Sequence, residues 1–216
     1  ESIIWALTVA LSNHVTLLLP ITEIYFQQNV ITQVASIILM DGIILLSVIA
    51  FFLELSTKKN VNLFNFIKNL FLNPFILSII IGLLFLLLNF NIDQTPIEYT
   101  LSKLAACVSP VGLFAIGITL SFYTKNVINK LSVSISVLKL VISPIILLLI
   151  GLVFFNAGLP AEIPGAFFVS VAPCGVTSIV LCAAYNVSPE NIIKAIFVST
   201  IASIGTIFFA IKYLTL

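Results

Sequence analysis

Three ionisable side chains lie inside long apolar runs: Asp41 in LMDGII, Lys139 in LKLVISP, and His14 next to Asn13. A charge held at membrane depth is costly, so each is a candidate for chemistry. Asp41 is too far from either end of its run to snorkel easily, and it suits a cation or a proton. Its structural alternative is a buried pair or a water-filled crevice. Lys139 could help hold an anion, although a lysine can also stretch its stem toward an interface, and the structural role weighs more. His14 is of the residue type that ordinarily changes charge near neutral pH, so it could relay a proton, although a lone histidine is more often a satisfied hydrogen-bonding group. These three are the ion-coupling candidates.

A second set is neutral and centres on prolines. Asn13 and Thr16, with Ser12 beside them, precede Pro20, and Pro173 is followed by Cys174, Gly175, Thr177 and Ser178. Proline in a helix removes a backbone hydrogen bond and clashes with the preceding turn. A helix broken there exposes free N–H groups at the start of its second half, which favour an anion. Hydroxyl and amide side chains at the break can orient it. The bland alternative is a mere kink, as at Pro110 and Pro144.

Other chemistries find no support. There is no G-x-S-x-G or H-E-x-x-H, so no catalytic residue is assigned and no enzyme is expected. The three cysteines, Cys107, Cys174 and Cys182, lie in apolar runs without metal-ligand spacing, and no metal, disulfide or cofactor is expected. Coupling to H+ or Na+ stays open. The net charge of +1, with all nine basic residues lysine, gives no reason to expect nucleic acid.

The elements that must position these residues are membrane helices. Hydrophobic residues make up 61% of the 216-residue chain and charged residues 8%, against about 25% charge in soluble domains. Apolar runs and polar breaks predict an all-α membrane protein with about seven spans. These are 3–26, broken near Asn13–Pro20; 31–55; 74–90; 97–123; 131–155; 166–185, broken at Pro173; and 189–214. Between the second and third, 62–72 reads as an amphipathic helix lying on the membrane. Two broken spans in one chain are the mark of a secondary transporter with its substrate at the breaks.

Lysines sort by side. Lys58, Lys59 and Lys68 follow the second span, Lys125 and Lys130 separate the fourth and fifth, and Lys194 opens the seventh. Asp93, Glu98 and Glu162 occupy the alternate connections. The positive-inside rule makes the lysine side cytoplasmic and puts the C-terminus outside, with Lys103 and Lys212 weakening the bias.

The chain resembles the auxin efflux carrier family, which includes plant auxin carriers and bacterial malate-permease-like proteins. The resemblance rests on an ordered series: Asn13 and Pro20; Asn73-Pro74 with Gly82; Pro110, Leu113, Gly117 and Leu120 in PVGLFAIGITL; Lys139 and Pro144; and APCGVTSIVLCAAYNVSPENIIKAIFVST with Pro173, Ala183, Tyr185, Ser199 and Thr200. It implies ten helices in two inverted repeats, of which the seven spans are helices four to ten. Residues 1–56 would end the first repeat, 57–73 form a cytoplasmic loop with the interfacial helix, and 74–216 form the second repeat. The first three helices would be absent, and such a fragment is not expected to transport alone. Pro20 and Pro173 would mark two crossing helices that hold the substrate. Leu18 and Thr177 depart from the family's usual glycine and asparagine, so substrate identity does not carry over.

The implied function is alternating-access transport of a small organic anion, auxin-like or dicarboxylate, with membrane lipid as the surroundings and a homodimer allowed. A non-transporting receptor or assembly subunit of the same fold is the alternative; a membrane-embedded enzyme is weaker. Abundant Ile, Lys and Asn without arginine suggest an AT-rich genome and a bacterial inner membrane.

Overall fold

The computed structural model describes residues 2–57, 67–68, 71–72, 74–123, 126–155 and 163–215. Lys58, Lys59, Asn73, Lys125, Glu162 and most of the expected interfacial helix lie outside them. Among the described residues the regular elements are all helical. In chain order they are α1 (Ser2–Ala10), α2 (Leu19–Tyr25), α3 (Gln28–Met40), α4 (Leu46–Thr57), α5 (Pro74–Leu87), α6 (Pro96–Ser121), α7 (Lys130–Val137), α8 (Ser143–Phe155), α9 (Pro164–Ser170), α10 (Thr177–Ala184) and α11 (Glu190–Thr215). Three wide π turns, His14–Leu18, Asp41–Leu45 and Leu138–Ile142, lead into α2, α4 and α8.

Helices long and apolar enough to cross a membrane cover 28–53, 96–121, 130–154 and 190–215. The other three expected spans are the fourteen-residue α5 and the two interrupted helices. Helix ends follow local chemistry. Asn129 and Ser132 form a reciprocal capping box at the start of α7. Asn89 and Asn186 take left-handed backbone conformations just past α5 and α10, where asparagine tolerates that geometry.

Packing divides the chain into two compact units, 1–37 with 109–216, and 38–108. They are defined by contacts and cut across the repeat boundaries. In the first unit α11 packs most extensively on α7, and α1 packs on α7, α10 and α11. Its core mixes Ile4, Leu7, Ile192, Ile193 and Ile196 with buried Ser132, Ser136, Ser199 and Ser203. Small hydroxyl residues let membrane helices approach closely while bonding their own carbonyls, as Ser136 Oγ does by donating to Ser132 O at 2.8 Å. In the second unit α5 packs against the Asp41–Leu45 turn. α6, whose residues belong to both units, buries none of its residues. Many large apolar side chains are exposed, Leu86, Phe114, Phe122 and Phe154 among them, as a lipid-facing surface requires.

Candidate functional site

α1 stops at Ala10, and helix resumes at His14; α9 stops at Ser170, and helix resumes at Thr177. The two gaps meet. Ser12 and Cys174 form an isolated antiparallel bridge. The Asn13 N–H donates to Pro173 O at 2.9 Å, and the Gly175 N–H donates to Leu11 O at 2.9 Å. Each unwound segment thereby satisfies the other, which is what permits irregular backbone inside an apolar protein. The approach is close: a Cβ on Gly175 would lie 3.0 Å from both Leu11 Cβ and the Ser12 carbonyl oxygen.

Hydroxyls brace the rest. Ser12 Oγ donates to Val169 O at 3.0 Å, and Ser178 Oγ donates to Gly175 O at 3.2 Å. Two supports come from α11: Ser199 Oγ accepts the Cys174 N–H at 3.2 Å, and Thr206 Oγ1 donates to Val171 O at 2.8 Å. Sequence reasoning gave Ser199 and Thr206 no role. The available signal was hydroxyls recurring along an apolar helix, where each must find a partner.

The position of the first interruption differs from expectation. It falls at Leu11–Asn13, and Pro20 stands inside α2, next to its first residue. Two features absorb the proline. The preceding turn is widened, with the Leu18 N–H reaching Asn13 O and the Leu19 N–H reaching His14 O, each a five-residue step. The carbonyl of Thr16, four residues before Pro20, accepts the Ser109 hydroxyl at 2.6 Å. Pro144 is treated alike: it follows the wide turn Leu138–Ile142 at the same spacing. Pro173, by contrast, lies in the gap itself.

Of the expected site residues, Asn13, Thr16, Pro173, Cys174, Gly175, Thr177 and Ser178 gather at or beside the crossing. Asn13 is 2% exposed. Its Oδ1 accepts the Thr16 hydroxyl, while its Nδ2 is buried and has no hydrogen-bond partner among the described residues. Thr177, half-buried, opens α10. The first amides of the resumed helices, at residues 15–17 and at Thr177, are those that a helix leaves without helical acceptors, whereas the His14 and Leu18 N–H groups donate to Ser12 O and Asn13 O. Gly112 of α6 backs this corner, for a Cβ there would lie 2.6 Å from Thr16 Cγ2.

Among the ion-coupling candidates, His14 is buried beside Asn13, and Lys139 is 2% exposed with its Nζ donating to Ala10 O at 3.2 Å. Asp41 belongs to the other compact unit, as the half-buried first residue of its wide turn. A cavity of about 420 Å³ lies at other helix ends, lined by Tyr25, Phe26, Gln27, Asn29, Val30, Pro164, Leu214 and Thr215. None of the crossing residues lines it, and its lining carries no charged side chain.

No curated protein and no solved structure matches the chain. A family model described as membrane transport protein matches residues 1–211. With apolar helices of spanning length and two interrupted helices meeting within them, the chain belongs to the membrane transport protein family, that of the auxin efflux carriers, and is an integral membrane protein of a transporter family.

Proposed function

We propose that the protein carries a small organic anion across the membrane by alternating access, with the anion held at the crossing of the two interrupted helices. The observation that carries this reading is Asn13 Nδ2, a buried donor with no acceptor among the described residues. Such a group costs about 1–3 kcal/mol unless something accepts its hydrogen bond. Beside it, two helices begin, and their first amides add donors and positive dipole ends. A carboxylate supplies the acceptors that this inventory lacks. Thr16 and Thr177 would set its orientation, with Gly175 and Cys174 forming the floor and Ser178 holding the turn. Auxin-like and dicarboxylate substrates both suit the donors.

In this reading H+ or Na+ drives the cycle, with Asp41, His14 and Lys139 as the groups that would respond. The lysine-bearing loops face the cytoplasm of a bacterial inner membrane. α6, which buries none of its residues, faces lipid or a second copy of the chain. The test is binding and proteoliposome uptake of an indole carboxylate and of malate. Asn13→Ala and Thr177→Ala should each weaken binding by about 1–3 kcal/mol, as for hydrogen bonds to a charged group, with little change in melting temperature. Binding of neither probe to the protein, or unchanged affinity in Asn13→Ala, overturns the reading.

A further inference from the structure

α1 ends at the crossing, and the carbonyl end of a helix carries partial negative charge. In carriers with broken helices, such ends and the unwound carbonyls beside them coordinate coupling cations. At this end the chain supplies a cation of its own. Lys139, 2% exposed, donates from Nζ to the carbonyl of Ala10, the last residue of α1, at 3.2 Å. The wide turn Leu138–Ile142 presents it there, and that turn packs against α1. The other broken helix is finished differently. Beyond α9, the Val169 and Val171 carbonyls accept neutral hydroxyls, from Ser12 at 3.0 Å and Thr206 at 2.8 Å. The Ala10 carbonyl thus takes an ammonium where the Val169 and Val171 carbonyls take hydroxyls.

We propose that the Lys139 ammonium is the built-in cation of the α1 carbonyl end, standing where a coupling Na+ would otherwise be drawn, so that this helix end takes no Na+. Lys139 is then a positioning residue: it holds the end of α1 and leaves the amides beyond the gap, with Asn13, to the anion. Only the consequence for transport rests on the carrier reading; occupancy of the helix end does not. An ammonium and Na+ carry the same charge and both suit carbonyl oxygen, but the tethered group cannot leave.

The experiment uses Na+ itself as the probe on the purified protein, with choline as the inert replacement. The wild type should melt at the same temperature in NaCl and in choline chloride. Lys139→Ala opens the position and should melt lower in choline, with a melting temperature that rises with Na+ concentration, as mass action requires for a ligand of the folded state. It should also bind more 22Na+ than the wild type. Lys139→Met, which keeps the volume of the stem, is measured beside it as recovery of folded protein in the two salts. Equal melting and equal recovery in both salts for both variants, total loss included, overturns the proposal, as does a wild-type Na+ site that Lys139→Ala removes. Loss of carboxylate binding without these results would instead count against the carrier reading alone.

Discussion

Gly175→Ala should damage the protein far more than a methyl group ordinarily does. Gly175 has no positive φ, so alanine can adopt its backbone and the cost is steric. The new Cβ would lie 3.0 Å from Leu11 Cβ and from the Ser12 carbonyl oxygen, with the Leu11 carbonyl carbon at 3.3 Å, whereas ordinary contact begins at 3.4 Å. Two of these three neighbours are backbone and cannot rotate away. Separating the segments by about 0.4 Å stretches the two 2.9 Å bonds that join them beyond the usual ~3.2 Å limit. Overpacking costs about 1–3 kcal/mol, and two weakened backbone bonds add about 1 kcal/mol each. The gain from stiffening the unfolded chain returns only about 0.4–1 kcal/mol. A net loss of about 2–4 kcal/mol follows from these terms. The assay is reversible unfolding of the purified protein in mixed micelles. Gly205→Ala is the control, since among the described residues nothing lies within 4 Å of its Cβ position and alanine is favoured in a helix by about 1 kcal/mol. If Gly175→Ala unfolds alongside Gly205→Ala, the crossing is not the tight junction described.

Two further expectations address neighbouring parts. Gly112→Ala would press on the Thr16 methyl at 2.6 Å and, through the Thr16 hydroxyl, on Asn13; carboxylate affinity and melting temperature should both fall, as isothermal titration and thermal unfolding would check. Asp41→Asn should remove the H+ or Na+ dependence of proteoliposome uptake without changing carboxylate affinity, and unchanged ion dependence would return Asp41 to a structural role.

The membrane helices were readable because hydrophobic runs of the right length have few other uses. The gap at Pro173 was readable because proline, a small cysteine and glycine follow one another there. The first gap was readable only at its edge, from Ser12 and Asn13 as the polar cluster before Pro20. Its residues, Leu11, Ser12 and Asn13, contain no proline or glycine, and nothing local forbids a helix through them. What interrupts the helix is tertiary: hydrogen bonds to Pro173 and Gly175, some 160 residues away. Pro20 misdirected the reading because a proline announces a lost N–H but not who compensates. The answer lay in Ser109, on a helix whose contact with Thr16 no spacing reveals. Lys139 was legible as a buried charge, while its partner, a backbone carbonyl, leaves no trace in side-chain identity.

The wide turns before Pro20 and Pro144 bear on how these helices tolerate changes of length. A π turn is an α-helix carrying one surplus residue. Removing one residue from 138–142 would close the turn to ordinary α pitch while the helix on either side keeps its azimuth, because the wide turn is what absorbs the surplus residue. In a uniform helix the same deletion turns everything beyond it by about 100°. These two segments can therefore lose a residue and still present the same faces inward. What the deletion costs at 138–142 is local: the widened turn that carries Lys139 to the carbonyl of Ala10.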